Sequence, residues 1–167
     1  MPILLRQVLK VIFQPPLEGR RQIIAVSRGV AEGLPLVDSV AVISITAPGR
    51  PIATLVPFQY ILRLSFADID FLSVNASQRS LAKVAYAFTA RQAGSVLDFV
   101  GGLPECISVV VVHCEGGYSR SCAIAKALSQ ICGYQVSEKD LVDANPSVVE
   151  VMLEVAAERS GGKGRRE

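Results

Sequence analysis

The stretch "VVVVHCEGGYSRSCAIAKAL", Val109–Leu128, decides how the chain folds. It opens on four valines with no polar alternation. That pattern suits a strand covered on both faces, as in a parallel sheet flanked by helices. It then turns polar around His113 and Cys114. Beyond the polar seam, Ile124, Ala127, Leu128 and Ile131 recur at helical spacing, and Gly133 is placed to end the helix. The reading is therefore strand, loop, helix, with a cysteine, two glycines and an arginine in the loop.

The rest of the chain extends that pattern. "QIIAVS" (Gln22–Ser27), "VAVISIT" (Val40–Thr46), "YILRLSF" (Tyr60–Phe66) and "ISVVVVH" (Ile107–His113) read as buried strands. "FTARQAGSVLDFVGG" reads as a helix. Thr89 and Gln92 stand at capping-box spacing, and Gly101 and Gly102 stop it. "PSVVEVMLEVAAERS" carries Pro146 where proline suits a first helical turn. The segment Ala67–Ala87 reads as an active-site loop with a short helix around Gln78–Tyr86. Strands alternating with helices predict an α/β sandwich, a central mainly parallel sheet flanked by helices.

A chain of 167 residues, half of them apolar, is one ordinary domain that needs no metal or disulfide to build a core. Residues 1–158 are read as that domain. The tail from Arg159 to Glu167, "RSGGKGRRE", has charges and glycines without apolar periodicity and reads as a flexible basic end. A net charge of +2 argues against nucleic acid or a membrane as the main partner. The N-terminal "MPILLRQVLKVIF" is interrupted by Arg6 and Lys10, so it does not read as an export signal. The four cysteines are then expected to be reduced thiols in a cytoplasmic protein. They contain no C-x-x-C pair and accompany a single histidine, a poor set for zinc.

The loop after Val112 has the chemistry of an anion site. In an open α/β sheet, ligands bind beyond the carboxyl ends of the strands. Gly116 and Gly117 allow successive amide N–H groups to turn inward as an anion cradle. The following helix points its positive N-terminal end at the same place. Arg120 adds a planar bidentate fork for two oxygens. A thiol in that field can have its pKa lowered to about 3.5–7.5, so Cys114 is expected to be a nucleophilic thiolate. Ser121 is placed to hydrogen-bond the sulfur, and His113 to orient the loop. Taken singly, a cysteine after a valine strand is a core residue and a first-turn arginine a surface charge. The ordered set is what reverses that reading.

"HCEGGYSRS" resembles the H-C-x-x-G-x-x-R-[S/T] signature of the cysteine-dependent protein tyrosine and dual-specificity phosphatases. His113, Cys114, Gly117, Arg120 and Ser121 stand at its fixed positions. "AVISITAPGRP" and "ILRLSFADID" look like segments of small bacterial and phage-type members, and the weaker likeness covers roughly residues 22–155. The resemblance implies a cysteinyl-phosphate mechanism without metal or organic cofactor. It implies a phosphate-binding loop made of Glu115, Gly116, Gly117, Tyr118, Ser119 and Arg120. It also implies an aspartate general acid on a separate loop. Asp68, just after "YILRLSF", is the better match, and Asp70 is the alternative.

Glu115 stands where phosphoinositide-directed relatives often carry lysine, and no basic residue lies among Glu115–Ser119. The expected substrate is thus a phosphoprotein or a small phosphomonoester, with phosphotyrosine first and phosphoserine or phosphothreonine also accepted. Two rival functions stay open on the sequence. One is a phospho-residue binding module with little turnover. The other is a different cysteine–anion enzyme, such as an arsenate reductase or a sulfurtransferase.

Overall fold

A computed structural model describes residues 3–14, 19–71 and 84–163. Among the described residues four strands form one sheet: β1 (Gln22–Ser27), β2 (Val40–Thr46), β3 (Ile61–Ser65) and β4 (Val109–Cys114). Their order is β1-β4-β2-β3, and every neighbouring pair is parallel. The first two strands have the bounds expected from sequence. The last lies two residues nearer the C-terminus at its start, because Ile107 N–H closes a turn onto Pro104 O. It runs on through Cys114, which pairs with Ser27 across the sheet.

The valine runs are buried on both faces, and the two-residue period of a strand sorts them. Ile23, Ala25, Ile43, Ile45, Val110 and Val112 enter one core. Ile24, Val26, Val40, Val42, Val109 and Val111 enter the other. The first face is covered by α3 (Ala90–Gly101), α4 (Arg120–Cys132) and α5 (Pro146–Lys163). The second is covered by α1 (Leu5–Phe13) and the short α2 (Arg28–Glu32). The central sheet flanked by helices is the architecture expected.

The helix ends follow their sequence signals. Thr89 and Gln92 form the capping box of α3: the Gln92 N–H donates to Thr89 Oγ1 at 3.1 Å, and the Thr89 N–H to Gln92 Oε1 at 3.0 Å. Gly133 closes α4 at φ 71°. Pro146 begins α5.

Helix α1 was not anticipated. Val8 and Ile12 drive it onto the second face, at the i, i+4 spacing of one helical side. A further difference lies at the C-terminus. The expected flexible end at Arg159 is helical as far as Lys163. Arg159 reaches back to α3, with Nη1 2.7 Å from Asp98 Oδ1 and Nη2 donating to Gly94 O at 3.3 Å. That anchorage carries the helix through residues whose composition reads as a mobile tail. Of the short helix expected around Gln78–Tyr86, residues 78–83 lie outside the described residues, and the remainder is a single 3₁₀ turn at Val84–Tyr86.

Candidate active site

All four strands run in one direction, so their carboxyl ends meet at one edge of the sheet. Cys114 is the last residue of β4, and residues 115–119 lead from it into α4. Gly117 makes this loop possible. Its φ is +78°, a region where a side chain is strained, and a Cβ there would stand 2.5 Å from Ser27 N and 2.6 Å from Val26 C. The loop therefore rests directly on the backbone at the end of β1. Gly116 does not take positive φ. Its open side is filled by the Tyr118 ring, 2.8 Å from where a Cβ would be.

The loop closes around the sulfur. Gly117 N–H donates to Cys114 Sγ at 3.3 Å, and Ser121 Oγ lies 3.2 Å from the same atom. Cys114 is 2 % exposed, at the base of the loop. Ser119, the residue before α4, makes no side-chain cap to the helix, so its hydroxyl leaves the first helical N–H groups uncapped. Arg120 is 7 % exposed, with Nη1 donating to Phe66 O at 3.0 Å. Its buried Nε meets no acceptor among the described residues. A buried guanidinium N–H without a partner is costly unless a ligand supplies one. The sulfur and a loop amide meet at the end of β4, and the same loop leads to the start of α4 with its buried guanidinium, a set of donors that a tetrahedral oxyanion can use.

His113 lies under the loop and is fully buried. Burial holds its pKa below the usual imidazole value. Its Nε2 is 2.6 Å from Ser44 Oγ, and its Nδ1 is 3.4 Å from Cys114 O. Arg63 Nη1 donates to Ser44 Oγ at 3.3 Å, which leaves the Ser44 proton for Nε2. The neutral ring then carries its hydrogen on Nδ1 and donates it to the Cys114 carbonyl. A held carbonyl fixes the plane of the Cys114–Glu115 peptide, and so the direction of the Glu115 N–H. His113 thus meets the start of the loop as a neutral ring.

A second hub holds the other side. The Arg28 N–H donates to Glu115 O at 3.2 Å. Its guanidinium lies 2.8 Å from Glu32 Oε1 and 3.8 Å from Glu115 Oε2, and donates to the carbonyls of Pro51 and Ile52. The Arg28 hydrogen bond keeps the Glu32 carboxyl below its usual range. The acidic Glu115 thus has Arg28, the first residue of α2, as its cationic neighbour, and Tyr118 is exposed at the rim.

The two candidate acids separate. Asp68 Oδ1 accepts from Ser119 Oγ and from Asn145 Nδ2, each at 2.8 Å. Asp70 Oδ1 accepts from Ser147 Oγ at 2.6 Å, at the start of α5. β3 and β4 are not adjacent, since β2 lies between them. The chain after β3 crosses the end of β2, where Phe66 N–H donates to Thr46 O at 3.2 Å, and so reaches the loop. Asn145 escaped the sequence reading. The Asn-Pro pair at a helix start was its one signal, and that signal speaks only of capping.

Cys122 packs behind the loop. Its Sγ lies 3.2 Å from both Gly117 O and Asp140 O, two carbonyls that share its single S–H, and burial is the first cause pushing its pKa up to about 12. Among the described residues no group of three or more His, Cys, Asp or Glu side chains is placed to hold a metal, and no helix is long and apolar enough to cross a membrane.

Comparison with solved structures finds the same architecture. A crystal structure of PTPMT1 superposes with a TM-score of 0.50 at 18 % identity, covering 88 % of this chain and 99 % of that one. A second, PTPMT1 in complex with PI(5)P, gives 0.47 at 18 % identity over 85 % and 94 %. No protein-family model matches the sequence, and no curated protein matches it. The likeness to the first structure shows that the chain has that phosphatase-like fold.

Proposed function

We propose that this protein hydrolyses phosphomonoesters through a cysteinyl-phosphate intermediate on Cys114. The observation that carries this reading is the loop itself. A thiol at the end of a central strand sits 3.3 Å from a loop amide and 3.2 Å from Ser121 Oγ, and the same loop leads to a buried arginine whose Nε has no partner among the described residues. A binding site for phosphate needs the amides and the arginine. It does not need the sulfur at its base.

In the first step the Cys114 thiolate attacks phosphorus, and the bond from phosphorus to the ester oxygen breaks. That oxygen takes its proton from Asp68. The loop amides, the start of α4 and Arg120 hold the three equatorial oxygens as charge redistributes. In the second step Asp68, now a carboxylate, takes a proton from water as the water oxygen attacks phosphorus. The bond from phosphorus to sulfur breaks, and the Ser121 hydroxyl stabilises the departing thiolate. Inorganic phosphate leaves. Asp68 is favoured over Asp70 because it touches Ser119 of the loop, whereas Asp70 is engaged by Ser147.

Protein phosphotyrosine is the preferred substrate, with phosphoserine and phosphothreonine accepted as well. The loop contributes Glu115 and Tyr118 to its surface and no lysine, which suits a singly phosphorylated group better than a polyphosphorylated headgroup. "AVISITAPGRP" and "ILRLSFADID" support placing the chain with small bacterial and phage-type members. Residues 1–158 act as one domain of this kind.

Para-nitrophenyl phosphate tests the chemistry, and a panel of phosphopeptides and phosphoinositide vesicles tests the preference. Wild type should turn over the aryl phosphate, and Cys114→Ser should lose turnover yet keep inorganic phosphate binding by calorimetry. Binding of phosphate with no hydrolysis by wild type would show a binding module instead. Faster hydrolysis of phosphoinositide vesicles than of phosphotyrosine peptides would overturn the substrate preference.

A further inference from the structure

Asn145 is 4 % exposed and joins three segments that are far apart in sequence. Its Nδ2 donates to Asp68 Oδ1 at 2.8 Å and to Ile69 O at 3.0 Å. Its Oδ1 accepts the N–H groups of Ser147 at 2.9 Å and Val148 at 3.2 Å, which caps the start of α5. Its own N–H donates to Ser119 O at 3.1 Å, in the phosphate loop. The orientation of the amide is fixed by these partners, since two backbone N–H groups require the oxygen on their side. Among uncharged side chains of this size, only an amide offers two donors and an acceptor on one planar group.

We propose that Asn145 is the positioning residue of the general acid, holding Asp68 against the phosphate loop. This inference rests on the reading of Asp68 as that acid. The Asp68 side chain is exposed and follows the end of β3, where nothing in its local sequence would hold it over a neighbouring loop. Two donors converge on the same carboxylate oxygen: Ser119 Oγ from the loop and Asn145 Nδ2 from behind. Oδ1 is thereby committed as an acceptor, and Oδ2 carries the proton that passes to the leaving oxygen. The Ile69 contact holds the backbone one residue on, so both the side chain and its main chain are tied. Because the anchor also caps α5 and binds Ser119, the acid, the loop and the helix keep one relative position. Such precise placement is what proton transfer in a transition state requires.

Asn145→Ser tests it, because serine retains a strong helix cap but cannot reach Asp68 as the amide does. Asn145→Asp is the second variant: it keeps the cap acceptor and replaces the donor with a carboxylate facing Asp68. A general acid supplies roughly 10²–10⁴-fold, so kcat for phenyl phosphate should fall about tenfold or more in either variant. Para-nitrophenyl phosphate, whose leaving group needs little help, should lose no more than about threefold. KM and inorganic phosphate affinity should stay near wild type. In an Asp68→Asn background the second substitution should cost nothing further. Equal losses on both substrates, or losses that add to those of Asp68→Asn, would mean a role in stability alone and overturn the proposal. Hydrogen exchange over Phe66–Phe71 gives a readout independent of catalysis. It should quicken in Asn145→Ser, and unchanged exchange sinks the tether. If wild type proves inactive on every phosphomonoester, the hydrolase reading fails, and the exchange measurement still decides whether Asn145 holds this segment.

Discussion

Asp68 and Asp70 stand two positions apart and serve different neighbours, the loop for one and α5 for the other. That separation gives a direct expectation. Asp68→Asn should slow phenyl phosphate far more than para-nitrophenyl phosphate, by a share of the roughly 10²–10⁴-fold that an acid supplies. It should also flatten the basic limb of the activity profile, because that limb reports loss of the acid's proton. Asp70→Asn should be milder on both substrates. A larger effect from Asp70, in kcat against pH, would move the acid by two residues. Cys114, Arg120 and Ser121, the residues of the proposed chemistry, could be grouped from the sequence because eight consecutive residues hold them all. Asn145 was not, because its contact with Asp68 spans 77 positions and exists only once the sheet is assembled. Cys122 illustrates a related limit. Its place eight residues after Cys114 does not show what the thiol touches. The structure instead spends its thiol on two carbonyls and keeps it protonated by burial. Mild peroxide should therefore give no Cys114–Cys122 bridge by mass spectrometry.

At the scale of elements, the loop from Glu115 to Ser119 is held by backbone contact with β1, and Gly117 is the point of contact. Gly117→Ala would bring a Cβ to 2.5 Å from Ser27 N, which is backbone and cannot turn aside. Left-handed backbone adds about 1–2 kcal/mol of its own. This variant should lose phosphate affinity and melt several degrees lower, by calorimetry and thermal unfolding. Gly116→Ala meets only the Tyr118 ring, a side chain able to swing, and should be much milder. If the two variants behave alike, the loop does not rest on β1 as described. The strands were legible because doubly covered strands are written as unbroken valine and isoleucine. α1 differs. Its stripe of Leu5, Val8, Leu9 and Ile12 is written in the sequence, with Arg6 and Lys10 on the opposite side, and those charges bore only on the question of an export signal. The C-terminal turn of α5 was misjudged because Arg159 finds its acid on another helix.

For the molecule as a whole, the buried His113 ties stability to pH. Its pKa in the folded state is lowered, chiefly by burial. The unfolded chain therefore binds a proton at about pH 6.5 that the folded chain refuses. The stabilising contribution is complete above that value and is lost as the pH falls toward the folded pKa. The protein contains one histidine, so its ring resonances can be followed without overlap. They should not titrate near 6.5 in the folded state, and chemical denaturation should show stability declining on acidification below it. A ring that titrates normally would contradict the Arg63–Ser44–His113 chain. The strand order has a consequence in time. β1 and β2 follow each other in sequence but are not partners; β4 lies between them and pairs with both, Gln22 and Val40 each meeting Val109. A ribosome therefore makes the outer walls of this slot long before the strand that fills it. Until residue 114 emerges, the nascent chain carries two apolar strands without their shared neighbour, a state prone to wrong pairing and slow to resolve. Cys114 arrives on the piece that completes the sheet, so its sulfur is enclosed in the same event that ends that exposure.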